Sequence, residues 1–136
     1  MVGLDAEIIK IVDTPTLRIS VRSDGILVVI PIPNSISTVA AAKETFQIIE
    51  ELSGQRGALI LNDTRTHITM SADKDVRDYM TSDEVARRIR AFAILTNSPV
   101  TKLFGTLWMR ISKPAFSARI FTSEEDALQW LLTFSE

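Results

Sequence analysis

No cysteine occurs in the 136 residues. That absence removes disulfides, thiolate metal ligands and thiol nucleophiles together. Histidine is nearly as scarce: His67 is the only one. With carboxylates scattered along the chain, a zinc site would lack its usual ligand set, and His67 reads as an ordinary loop residue. The five glycines stand singly, so no glycine-rich phosphate loop can form, and no Gly-x-Ser-x-Gly elbow presents a nucleophile. No apolar run approaches the ~18–20 residues of a membrane span. The first ten residues carry Asp5 and Glu7 in place of a basic and then apolar signal peptide. Charge of one sign is also missing: the net charge is −2, which argues against a nucleic-acid binder. Arg87, Arg88 and Arg90 do cluster, but Asp83 and Glu84 precede them, and the group reads as a solvated helix face. The expectation is a cytoplasmic protein without cofactor, metal site or catalytic residue.

What the chain does have is apolar material, 46% of its residues, enough for the core of a single domain. Residues 1–15 read as an N-terminal tail or edge strand, with Ile8, Ile9, Ile11 and Val12 able to join a sheet edge or a partner chain. The domain proper then spans 16–136. From Thr16 to Arg22, apolar Leu17, Ile19 and Val21 alternate with polar residues, the period of a half-buried strand. Ser23-Asp24-Gly25 supplies a turn, and Ile26 to Ile30 completes a hairpin. Pro31 and Pro33 end it.

A helix is expected from Ser37 or Thr38 to Ser53-Gly54, on the spacing of Val39, Ala42, Phe46 and Ile49. Ala58–Leu61 and Ala91–Leu95 are short apolar runs between polar turns, the mark of buried parallel strands. Between them, weak helical spacing over Ala72–Met80 is followed by a helical stretch to about Arg90. Ser98-Pro99 opens another helix, in which Leu103, Phe104, Leu107, Trp108 and Ile111 form a wide apolar face. Ala118–Phe121 is a last strand. The final helix has two candidate capping pairs, Thr122 with Glu125 and Ser123 with Asp126. Alternating strands and helices call for an α/β fold with right-handed crossovers.

Three places hold candidate functional residues. Asp73, Asp75 and Asp78 cluster, but Lys74 and Arg77 beside them suggest charge pairing on a helix. Phe104 and Trp108 lie four apart and suit a core face, a dimer contact or the lining of an apolar pocket. The carboxyl ends of the strands, where ligands of open α/β sheets usually bind, bring Asp63, Thr64 and Arg65 toward Asn97, Ser98 and Lys102. Free backbone donors at the helix start there, with Arg65 and Lys102, could hold an anion or a partner.

Ala91-Phe92-Ala93-Ile94-Leu95-Thr96-Asn97-Ser98-Pro99, followed by Lys102-Leu103-Phe104-Gly105, resembles the SpoIIAA-like (STAS/SEC14-like) branch of the STAS superfamily. The tail from Arg119 to Leu131 resembles that branch's ending. The resemblance implies a sheet of about five strands, an N-terminal hairpin and then parallel strands, with about four helices packed mostly on one face. It also implies a bacterial, non-enzymatic interaction or regulatory module with a protein partner, expected here as a homodimer. Better-studied STAS domains are phosphorylated in an Asp-Ser-Ser-Gly motif. Asp63 and Thr64 match its first two positions loosely, and the Ser-Gly is missing. The SEC14-like label implies an alternative, a small carrier of lipid or another apolar ligand held between helix and sheet by Phe104, Leu107, Trp108 and Phe116.

Overall fold

The computed structural model describes residues 6–65, 73–112 and 115–135, the side chains at 104, 108, 111 and 112 excepted. Strand β1 (Ile8–Asp13) turns back into β2 (Leu17–Arg22), which turns again into β3 (Ile26–Pro31). Gly25 makes the second turn at φ 90°, a region that favours glycine. Helix α1 (Val39–Ser53) follows, its Thr38 side chain accepting from the Ala41 N–H. Strand β4 (Ala58–Asp63) leads to the short helices α2 (Lys74–Met80) and α3 (Asp83–Ala86) and then to β5 (Ile89–Leu95). Helix α4 (Pro99–Ser112), strand β6 (Ser117–Phe121) and helix α5 (Glu124–Leu132) complete the described chain.

The strands form one six-stranded sheet in chain order. Pairing is antiparallel from β1 to β3 and parallel from β3 to β6. An α/β sheet of hairpin and parallel strands is what the sequence leads one to expect, with one strand and one helix more. The extra strand is the apolar run at Ile8–Val12. The extra helix arises because the stretch before β5 breaks at Thr81-Ser82, where the Ser82 side chain accepts from Val85 N–H and starts α3 anew. That helix stops at Ala86 and does not reach Arg90. Strand β5 begins two residues early because Ile89 is buried opposite Ala58, whose N–H donates to the Arg88 carbonyl.

Two apolar layers enclose the sheet. On one face, Ile19, Leu27, Val29 and Ile60 pack with Phe46 and Ile49 of α1 and Val85 of α3. Helix α4 joins this side, since Gly105 lies directly against Ile120 and Ile120 pairs with Ile94, which alternates with Ala93 and Leu95 of the opposite layer. On that opposite face, Ile26, Leu59, Leu61, Ala91, Ala93 and Leu95 meet Ala127, Leu128 and Leu131 of α5. Two alanines in the middle of β5 allow α5 to approach closely. Trp130 sits at the margin of this layer, with its ring 5.6 Å from Phe121 and 5.0 Å from Phe134. Of the two capping pairs open to α5, the fold uses Ser123, whose side chain accepts from Asp126 N–H.

Polar groups fix the sheet's two turns. The Arg22 guanidinium, 8% exposed, pairs with Asp24 at 2.9 Å, and Asp24 also accepts from Ile26 N–H. Thr14 accepts from Leu17 N–H and from the Thr45 hydroxyl at 3.0 Å, which ties the β1–β2 turn to α1.

Two glycines flank the entry to β4 and test how tightly it is packed. Both have positive φ, 75° at Gly54 and 86° at Gly57, but only Gly57 has backbone close by, with Arg90 N 3.2 Å from where a Cβ would stand. Gly54→Ala is expected to lower stability by about 1 kcal/mol through backbone strain alone. Gly57→Ala should lose about 2 kcal/mol or more, because β5 must also yield. Urea denaturation of the two variants checks the order.

Candidate functional site

The carboxyl ends of β4 and β5 bring together five of the six residues singled out there. Asp63 closes β4 on the α5 side of the sheet, opposite Leu95. Thr64 donates its hydroxyl to the Leu95 carbonyl at 2.8 Å, and its N–H reaches the same oxygen at 2.9 Å. Arg65 lies across Asp63 in a two-point contact of 3.0 and 2.8 Å and also reaches Glu124 at 2.9 Å. Asn97 donates to the Arg65 carbonyl at 3.3 Å. Ser98 caps α4, its side chain accepting from Thr101 N–H at 3.1 Å. Lys102 lies elsewhere, one turn into α4, where it borders a groove along β6.

These contacts determine what the cluster can do chemically. The Arg65 guanidinium faces two carboxylates, so its charge is already matched and it offers little to an incoming anion. The hydrogen bond from Arg65 holds the Asp63 carboxyl below the usual aspartate range, against a smaller opposing effect of burial. Asp63 in turn keeps Arg65 firmly protonated. A carboxylate with a lowered pKa is a poor general base near neutral pH. The Thr64 hydroxyl is spent on the joint between two strands, so phosphate there would have to break that joint beside Asp63. One polar atom stands apart: the side-chain oxygen of Asn62, buried on the opposite face, has no hydrogen-bond partner among the described residues.

The remaining candidates divide. Asp73 caps α2 through Asp75 N–H, and Lys74 pairs with Asp78 at 2.6 Å, so those acids serve the helix. Arg88 of the arginine cluster is half-buried and pairs with Glu50 and Glu84; the Tyr79 hydroxyl donates to Glu84 at 2.6 Å. That network fastens α2 and α3 to α1. Arg90 lies in β5 and not on a helix. His67 and the side chains of Phe104 and Trp108 lie outside the described residues. Leu103 and Leu107, read as part of the wide apolar face of this helix, are exposed and share an outward stripe of α4 with Val100, at 45–62%. The reason is Gly105: its bare backbone is what α4 sets against Ile120, which turns the leucines outward. Among the described residues no three carboxylates or histidines converge as metal ligands, and no helix is long and apolar enough to cross a membrane.

Sequence reasoning missed the groove along β6. It holds about 870 Å³ between α4 and α5, with Lys102 and Arg110 on one wall, Asp126 and Gln129 on the other, and Arg119 in the floor. Arg119 covers the Phe121 ring at 5.2 Å. Nothing local in the sequence marks this groove, because its walls come from helices on opposite faces of the sheet.

The Asp63–Arg65 pair has a pH signature. The folded-state pKa of Asp63 is lowered, so its contribution to stability is present above the unfolded value near 4 and fades as pH falls through the folded value. Stability measured between pH ~5 and ~2 should therefore decline less steeply in Asp63→Asn than in the parent. A carboxyl titration followed by NMR should place the Asp63 midpoint below that of exposed aspartates.

Comparison with known proteins bears on fold and family. A crystal structure of an uncharacterised DUF3478-family protein from Shewanella loihica PV-4, described as having a SpoIIAA-like fold, superposes with a TM-score of 0.57 over 93% of each chain at 15% identity. The fold is therefore SpoIIAA-like. A protein of unknown function from Arthrobacter sp. FB24 shares 26% identity over 84% of this chain and 97% of its own, with a TM-score of 0.27. No curated protein matches. The model of one family, Domain of unknown function (DUF7793), matches residues 19–135, and the chain belongs to that family.

Proposed function

We propose that this protein is a non-enzymatic, homodimeric interaction module of the STAS type, and that the α4 side of the domain receives a protein partner. The observation that carries this reading is the contrast between two surfaces. Among the described residues at the carboxyl ends of β4 and β5, Thr64 and Asn97 are spent on neighbouring carbonyls, and Asp63 and Arg65 neutralise each other's charge. On α4, by contrast, Val100, Leu103 and Leu107 lie open to solvent in one stripe. An apolar stripe beside a groove with a charged rim matches the anatomy of a protein–protein contact, with anchors in the middle and polar residues around them. Lys102, Arg110 and Arg119 outnumber Asp126 among the charged residues lining that groove, so the partner that fits carries apolar anchors flanked by acidic residues.

The carrier reading draws less support from this groove. An apolar ligand lying along β6 would have to strip water from Lys102, Arg110, Arg119 and Asp126, which is unfavourable without pairing.

Immobilised protein should retain a defined partner from lysate of its host, and the same partner, purified, should bind in isothermal titration. Leu103→Glu combined with Leu107→Glu should weaken that binding at least about tenfold, as loss of a central anchor does, with an unchanged circular dichroism spectrum. Affinity indifferent to these substitutions would remove α4 as the partner surface. Turnover of any substrate by the purified chain that vanishes in Asp63→Ala would overturn the non-enzymatic reading.

A further inference from the structure

The two edges of the sheet are finished differently. Strand β6 lies in the groove between α4 and α5, with a helix on each side. Among the described residues, strand β1 has no such walls. Its Ile8, Ile9 and Ile11 are 49%, 65% and 58% exposed. Edge strands are normally blunted, since a long apolar edge recruits other strands.

This strand is held firmly in place. Thr14 N–H donates to the Leu17 carbonyl at 2.8 Å, and Ser23 N–H donates to the Glu7 carbonyl at 2.8 Å. Arg18 grips Asp13 at 2.9 and 3.2 Å. Because Thr14 and Leu17 form a hydrogen-bonded pair, the antiparallel alternation makes Val12 with Ile19 and Lys10 with Val21 hydrogen-bonded pairs too. The N–H and C=O of Ile11 and Asp13 then point away from β2, toward the free edge. The side chain of Ile11 stands opposite Ser20 and that of Ile8 opposite Arg22. Both are on the face that α5 covers, but α5 packs over β4, β5 and β6, leaving the β1–β2 end of that face bare among the described residues.

We infer that β1 is the homodimer seam: two copies pair antiparallel through this strand, with a two-fold axis at Ile11, into one continuous twelve-stranded sheet. The inference rests on the homodimer reading above and names its surface. A two-fold axis at Ile11 lets the two Ile11 residues exchange both backbone hydrogen bonds, so the edge satisfies itself without a foreign strand. Ile8 and Ile11 of both copies then gather across the axis on the uncovered face, and Ile9 lies in the bulge between Ile8 and Lys10 at the seam. Burying their exposed parts removes on the order of 600 Å² from water, and pairing the main chains of two six-residue edges brings the total near the ~1,000 Å² of a specific interface. The seam lies outside the residues shared with the family, which begin at residue 19.

The test is sedimentation velocity on the full chain, with hydrogen exchange read at β1. The parent is expected to be a dimer with slow exchange at the outward-facing amides of Ile11 and Asp13. Two variants should be monomeric with unchanged circular dichroism: Ile11→Pro, which deletes only the outward donor and is tolerated on an edge, and the double variant Ile9→Lys, Ile11→Lys, which adds charge to the seam. Leu103→Glu should remain a dimer. A dimer that survives both β1 changes overturns the strand seam and leaves the homodimer standing; if Leu103→Glu then breaks it, the seam is α4. A parent that stays monomeric up to ~100 µM, well above the micromolar range of weak specific complexes, overturns the homodimer and the seam together.

Discussion

The architecture depends on one constraint: β3 to β6 run parallel, and a parallel sheet must be covered on both faces. Right-handed crossovers between strands laid down in chain order put every connecting helix on the same side. Helices α1, α3 and α4 accordingly pack against one face, by way of Ile60, Val85 and Ile120. Among the described residues, the other face falls to α5 alone. A helix with its side chains is ~10–12 Å across, while strands lie ~4.8 Å apart. Such a helix can roof about three strands of a six-stranded sheet. Alanines at 91 and 93 bring it close to β5, and its leucines reach β4 and Ile26 of β3. Beyond that the sheet outgrows its cover, and β1 and β2 emerge with isoleucines in the open.

The same constraint accounts for what was readable in the sequence. Strands β4 and β5 stand out as unbroken apolar runs because both of their faces are buried, and β2 shows strict alternation because only Ile19 and its neighbours turn inward. Caps are equally local signals: Thr38 and Ser123 sit where a hydroxyl can accept from an N–H three residues on. The site residues Asp63, Thr64, Arg65, Asn97 and Ser98 could be placed together because strand ends in a parallel sheet are brought side by side. Their contacts could not be foreseen. That Arg65 reaches Glu124, fifty-nine residues away, depends on α5 crossing to the far face, which no pattern within the segment records.

Helix α4 shows where periodicity falls short. Its apolar residues are numerous enough for either a core face or a contact face, and the pattern is the same for both. The deciding residue is Gly105. Removing a side chain at that point lets the helix backbone settle onto Ile120, so the helix is held by its narrowest side and Val100, Leu103 and Leu107 turn away from the sheet. A count of apolar residues assigns such a helix to the interior; the position of one glycine rotates it outward. The arginine cluster was misplaced for a related reason. Arg88 and Arg90 are two apart, but α3 ends before them, so Arg88 folds back onto Glu50 and Glu84 while Arg90 enters β5.

Among the described residues, one ion-pair cluster, Arg65 with Asp63 and Glu124, occupies the carboxyl end of β4. Two apolar surfaces lie open at opposite ends of the sheet, a stripe on α4 and the edge at β1. Two separate apolar surfaces can be occupied at once, so one can hold a second copy while the other receives a partner. A partner bound on α4 of each subunit would then be presented twice, with the spacing set by the sheet between them, and linked binding of that kind strengthens attachment without any new contact.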